Sequence, residues 1–205
     1  MRGHGQDIRK RQGEMTAQDH DAGRPVAITS ICVFCGSREG DRPTYRAAAQ
    51  ALGRQAAARG ITIVYGGGSI GLMGVMARAA LAAGGRVVGI IPELLDRLEV
   101  GLKEVSEFVL VPDMHSRKAE MFRRADAFVV LPGGLGTLDE FVEMTTWAQL
   151  GIHDKPIVLV NLDGFFTPLL AYLRHASKEG FIAPRHLTLF TPVADIDALW
   201  AALGL

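Results

Sequence analysis

The sequence predicts an α/β fold: a doubly wound, mostly parallel sheet with helices on both faces, in a single domain. Three observations predict it. Short apolar runs alternate with Ala-rich or amphipathic stretches of helical length from residue 26 to the end. The runs are continuous rather than alternating, which marks strands buried on both faces, and the strict β-then-α order demands parallel crossovers. Glycine makes up 24 of 205 residues, roughly 12% against ~7% in average proteins, and it gathers where a run gives way to a helical stretch.

The elements follow in order. An apolar run at 26–34 predicts the first strand, and the Ala-rich stretch 43–59 the first helix. Runs at 61–65 and 86–91 flank a second Ala-rich helix over 70–83. Segment 92–106 lacks clear periodicity and reads as a loop with a short helix. The run 107–111 leads to Asp113, a plausible cap for a helix over 114–124 that also carries Glu120 and Arg124 at i,i+4. Strand 127–131 precedes a helix over 138–150, strand 156–161 a helix over 166–178, and strand 188–190 a last helix over 195–203. Residues 1–24, charged and poor in large apolar side chains, read as a mobile tail, leaving 25–205 as the folded domain.

Composition excludes several classes. Lys and Arg total 22 and Asp and Glu 22, so no long-range field favours nucleic acid or an anionic membrane as partner. No run approaches the ~18 apolar residues of a membrane span, and the tail has no apolar core segment of a secretory signal, so a soluble cytoplasmic protein is expected. The two cysteines, Cys32 and Cys35, have C-x-x-C spacing but fall within one strand, where residues three apart point to opposite faces. Without a second pair no zinc site is expected, and both read as buried thiols.

Ligands of such sheets bind where strands turn into helices, and three turns there are glycine-rich. They are Cys35-Gly36-Ser37, Gly66-Gly67-Gly68-Ser69-Ile70-Gly71 and Pro132-Gly133-Gly134-Leu135-Gly136-Thr137. The second contains G-x-G-x-x-G, the Rossmann-like dinucleotide fingerprint, with Glu93 a loose candidate for its ribose-binding acid. The third is an equally good phosphate cradle, since bare glycine amides and the positive end of a helix dipole suit a phosphate. One dinucleotide needs one cradle; two point to another ligand geometry. Thr137 adds a hydroxyl, and Glu140 lies near the start of the following helix. Glu140 has two readings: a chemical group beside the cradle, or the partner of Thr137 in a capping box. Arg117 and Lys118 open the helix after the preceding strand and face the same sheet edge, which favours chemistry over a merely solvated basic face. His115 and His153 have no nucleophile or ligand spacing and read as polar or capping residues; Tyr45, Trp147 and Trp200 read as core or interface.

Five motifs in order resemble the Lonely Guy family of cytokinin riboside 5′-monophosphate phosphoribohydrolases and its relatives acting on AMP. They are Cys32-Val33-Phe34-Cys35-Gly36-Ser37, Tyr65-Gly66-Gly67-Gly68 through Gly71-Leu72-Met73-Gly74, Met114-His115-Ser116-Arg117-Lys118, Pro132 through Glu140, and Thr146-Trp147-Ala148-Gln149-Leu150-Gly151. The resemblance spans about residues 28–160. It implies Arg117 and Glu140 as the catalytic pair, and Lys118 and Met114 as part of the substrate site. It implies further that Gly133, Gly134, Leu135, Gly136 and Thr137 hold the phosphate, helped by Gly36, Ser37, Gly67 and Gly68, with Thr146 and Glu99 as further substrate contacts. Leu135 stands where an aromatic is frequent, Asp139 where glutamate is common, and Arg38 where a small residue is usual.

The implied reaction is hydrolysis of the N-glycosidic bond of a purine riboside 5′-monophosphate, with no metal and no cofactor. Nothing marks a Schiff-base lysine for pyridoxal phosphate, despite the lysine-decarboxylase label many relatives carry. The resemblance also implies a homodimer or larger homo-oligomer with the helix bearing Thr145-Thr146-Trp147 at or near the interface. Two other readings compete: a non-catalytic nucleotide or molybdenum-cofactor carrier, whose family shares these loops, and a nicotinamide-dependent oxidoreductase, which lacks a recognisable catalytic partner.

Overall fold

A computed structural model of the chain describes residues 27–98 and 101–205. The tail expected over 1–24, Val26 and Glu99 lie outside them. Seven strands form one sheet: β1 (Ser30–Phe34), β2 (Thr62–Tyr65), β3 (Val87–Pro92), β4 (Glu107–Val111), β5 (Ala127–Val130), β6 (Ile157–Val160) and β7 (Thr191–Val193). Their order is β4-β3-β2-β1-β5-β6-β7 and every pairing is parallel, with Cys32 of β1 opposite Val64 on one side and Phe128 on the other.

The helices are α1 (Pro43–Ala58), α2 (Gly71–Ala82), α3 (Glu93–Leu98), α4 (Met114–Arg124), α5 (Leu135–Gln149), α6 (Thr167–Lys178) and α7 (Ile196–Ala202). Helices α1, α2 and α7 pack one apolar layer against the sheet, with Leu52, Met76 and Trp200 at its centre. On the other face α4, α5 and α6 surround a second layer containing Met121, Phe128, Phe141 and Met144. Every residue of β1 and β5 is buried, as continuous apolar runs require. Cys32 belongs to the α5-side layer and Cys35 to the α1-side layer, both as free thiols.

The chain winds outward from β1 to β4. It then returns through α4, which packs across β3, β2 and β1, and continues from β5 to β7 in the opposite direction. The reversal falls between β1 and β5, and the crevice at their carboxyl ends receives the loops after β1, β2, β4 and β5. No helix among the described residues is long and apolar enough to cross a membrane.

Two elements differ from expectation. The last strand is not 188–190: residues 184–188 form a 3₁₀ turn closed by the Thr188 hydroxyl donating to the Arg185 carbonyl at 2.8 Å, and β7 begins at Thr191. Phe190 is apolar because it packs edge-on against Phe141, ring centroids 5.2 Å apart, rather than because it pairs in a sheet. Helix α5 starts at Leu135 instead of 138, with Gly134 as its cap residue.

Candidate active site

The early start of α5 decides how Glu140 is used. With Gly134 at the cap, Thr137 is the third helical residue and Glu140 the sixth, beyond reach of the cap, so the capping-box reading fails. Glu140 instead turns inward, 7% exposed, and its Oε1 lies 3.4 Å from an Arg117 guanidinium nitrogen. Arg117 comes from α4, whose first turn is capped by the Asp113 carboxylate accepting from the Ser116 amide at 2.7 Å. It is 8% exposed, and its Nε is buried without a hydrogen-bond partner among the described residues. A Cβ on Gly66 would fall 1.8 Å from the Arg117 guanidinium, so glycine there makes room for the arginine.

The pair opens into a cavity of about 190 Å³ that Ser37, Met114, Gly134, Leu135, Gly136 and Thr137 also line. At its floor the amides of Leu135, Gly136 and Thr137 open α5 with no side-chain cap and no acidic residue in the first turn. Such amides have no intrahelical partner and present the positive end of the helix dipole. A Cβ on Gly134 or Gly136 would meet no atom within 4 Å. No neighbouring atom in the chain therefore requires glycine at these two positions, and the bare backbone leaves space for a ligand to approach it closely. The cradle suits an anion.

The other glycine turn is closed. The Leu72 and Met73 amides that begin α2 donate to the Gly36 carbonyl at 3.0 and 3.4 Å, so the protein itself satisfies that helix end. Gly71, at φ +62°, lies where a Cβ would sit 2.2 Å from the Ser37 carbonyl carbon. Of the two expected cradles, the turn before α5 has an uncapped helix end and the turn before α2 has a closed one. Of the G-x-G-x-x-G, Gly66 lies on the cavity wall against Arg117, Gly68 and Gly71 pack closely against other parts of the chain, and Glu93 is exposed on α3, away from the cavity.

Several expected contacts lie off the cavity wall. Gly67 adopts φ +74° against Ile90 and Ile91, and Gly68 bridges to Gly101. Gly36 donates its amide to the Pro132 carbonyl at 3.1 Å, and Gly133 is glycine because a Cβ would strike the Thr137 hydroxyl. Lys118 is held 3.2 Å from Asp139 and 3.0 Å from Glu143, bracing α4 to α5 rather than entering the cavity. Thr146 is exposed farther along α5. His153 accepts from the Lys155 amide and bonds the Met144 carbonyl, and Trp200 is core, as expected. Met73, Leu95 and Cys35 also line the cavity and were not singled out as wall residues by the sequence; Leu95 sits in the aperiodic segment 92–106, which carried no signal.

Burial pushes the Glu140 carboxyl up to about 7, against the opposing pull of Arg117; Asp139 adds to the rise and Lys118 opposes it. At neutral pH Glu140 is thus poised between proton acceptor and donor. Burial also raises the Cys35 thiol well above its usual range, so it lines the cavity as a neutral group. No group of three metal-ligating side chains occurs among the described residues.

Residues 73–203 match the family described as “Possible lysine decarboxylase”. The chain is 53% identical over 169 residues to a “Probable cytokinin riboside 5′-monophosphate phosphoribohydrolase” of Oryza sativa subsp. japonica, covering 82% of this chain and 74% of that protein. It is 50% identical over 166 residues to a cytokinin riboside 5′-monophosphate phosphoribohydrolase of Arabidopsis thaliana, covering 80% and 78%. The chain belongs to the Lonely Guy family. Among solved structures, a molybdenum cofactor binding protein from Rippkaea orientalis superposes with TM-score 0.64 at 21% identity over 88% of this chain and 98% of that one. A Moco carrier protein from Chlamydomonas reinhardtii gives 0.62 at 22% identity over 85% and 94%. At such identities the likeness establishes the shared Rossmann-like fold.

Proposed function

We propose that this protein hydrolyses the N-glycosidic bond of a purine riboside 5′-monophosphate, an N6-prenylated adenine nucleotide or AMP, releasing free base and ribose 5-phosphate. The observation that carries the reading is the buried Arg117–Glu140 pair, 3.4 Å apart, beside the uncapped amides of α5. Relatives at about 50% identity bear the name of this activity, which favours it over the carrier reading drawn from structures at 21–22%.

In this mechanism the Leu135, Gly136 and Thr137 amides bind the 5′-phosphate, remote from the reacting carbon, so binding energy there positions the sugar. The C1′–N9 bond breaks as the ribose gains oxocarbenium character, and the purine leaves with the electron pair and takes up a proton. The Glu140 carboxylate stabilises the cation and accepts a proton from the water that forms the new C1′–O bond. Arg117, on the cavity wall, fixes the carboxylate and faces the ribose. Met114 and Leu135 supply apolar wall, while Lys118 acts through Asp139 and Glu143.

A homodimer is part of the proposal: Val142, Leu150 and Ile152, each about half exposed or more, flank exposed Thr146 on and just beyond α5, an apolar face suited to a second copy. Two free buried thiols fit a reducing compartment such as the cytoplasm. The test is a substrate panel. AMP, isopentenyladenosine 5′-monophosphate and adenosine are incubated with the protein, and products are resolved by chromatography. Free base and ribose 5-phosphate from the nucleotides, with little from adenosine, are expected; no base release from either nucleotide overturns the proposal.

A further inference from the structure

A second cavity, about 340 Å³, lies between α1 and α2 on the sheet face opposite α4 and α5. Arg46, Gln50 and Arg54 line it from α1 at four-residue spacing, a single stripe about 12 Å long at 1.5 Å per residue. Arg78 faces them from α2, and the floor is Val75 with the small side chains of Ala79, Ala82 and Ala83. The helices approach backbone to backbone here, since a Cβ on Gly53 would sit 2.4 Å from the Met76 carbonyl oxygen, so the trough between them is shallow and smooth. None of its lining residues is acidic. In a chain of zero formal charge, three guanidiniums around one apolar floor are a local concentration of positive charge.

We propose that this groove binds a nucleoside triphosphate, its phosphates held by Arg46, Arg54 and Arg78 and its base lying on the alanine floor beside the Gln50 amide. Guanidinium forks match phosphate oxygens in geometry as well as charge. Cations rooted about 12 Å apart along α1 suit a chain of phosphates better than a single one, which sets this ligand apart from the monophosphate of the active site. Two of the arginines already have partners: Arg46 pairs with Glu39 at 2.6 Å and Arg78 donates to the Ser69 carbonyl at 2.8 Å. A polyphosphate must compete with both, whereas Arg54 is exposed and is the cleanest probe.

The test is calorimetric titration of the full chain with ATP and with tripolyphosphate, in wild type, Arg54→Glu, Arg54→Gln and Gly134→Val. ATP is expected to bind at one site below about 1 mM and at least about tenfold more tightly than tripolyphosphate. Arg54→Glu should weaken ATP binding about tenfold or more, Arg54→Gln less, and Gly134→Val, which fills the active-site cradle, should leave it unchanged. Arg54→Gln also guards against misfolding and should keep wild-type AMP hydrolysis in the absence of ATP. No ATP binding in wild type, affinity within about twofold of wild type in both Arg54 variants, loss of binding in Gly134→Val, or equal affinity for tripolyphosphate overturns the proposal. The outcomes that decide the proposal are all binding measurements, so they stand or fall separately from the hydrolytic reading.

Discussion

Glu140→Gln removes the titration of one buried carboxyl while keeping its shape, and the effect on stability follows from the site. Burial raises Glu140 from 4.5 to about 7, so the folded protein holds that proton more tightly than the unfolded chain does. A carboxyl of this kind favours folding most at low pH, and the contribution is withdrawn as pH rises from about 4.5 through 7. Integrated between roughly pH 5 and pH 8.5, the wild type should lose about 2.5 kcal/mol relative to the variant. The amide leaves Arg117 facing a weaker partner, a penalty almost independent of pH that cancels in the comparison. Urea unfolding followed by the fluorescence of Trp147 and Trp200 at the two pH values measures it. The stability of Glu140→Gln minus that of wild type should increase by about 2.5 kcal/mol on going to the higher pH; a change under about 0.5 kcal/mol would refute a buried, proton-holding Glu140.

Gly134→Val places a side chain in the open cradle, so the KM for AMP should rise about tenfold or more with the unfolding midpoint unchanged; steady-state kinetics beside thermal melts check this, and an unaltered KM counts against the anion site. Lys118→Met leaves Asp139 and Glu143 without their cation, so the acid limb of kcat/KM, expected near 7, should move to higher pH by about half a unit or more. A raised KM with an unmoved limb would instead mark Lys118 as a direct substrate contact. Gly71→Ala forces a side chain into φ +62° and against the Ser37 carbonyl; a loss of about 2 kcal/mol or more in chemical denaturation is expected, and a neutral effect contradicts the close approach.

What the sequence disclosed and withheld has physical reasons. Continuous apolar runs such as Ile31-Cys32-Val33-Phe34 are legible because a strand buried on both faces leaves no polar position, and β1 through β6 fall within a few residues of the runs. The run 188–190 misled because burial of Phe190 against Phe141 leaves the same apolar mark as a strand. At the site, Arg117 and Glu140 were legible as charged residues opening consecutive helices at one sheet edge. Which glycine turn keeps an open helix end was not, because a helix end closed by a distant carbonyl, as Gly36 closes α2, leaves no trace in local sequence. The partners of Lys118 were hidden likewise, because Asp139 and Glu143 meet it only after α4 and α5 pack.

The most direct measurement is the rate of adenine release from AMP by Glu140→Gln under saturating substrate. A positioned charge facing a developing cation is worth ~3–4 kcal/mol of barrier, so kcat should fall about 10² to 10³-fold with KM little changed. Turnover within about tenfold of wild type would contradict the assignment of Glu140 to the reacting carbon.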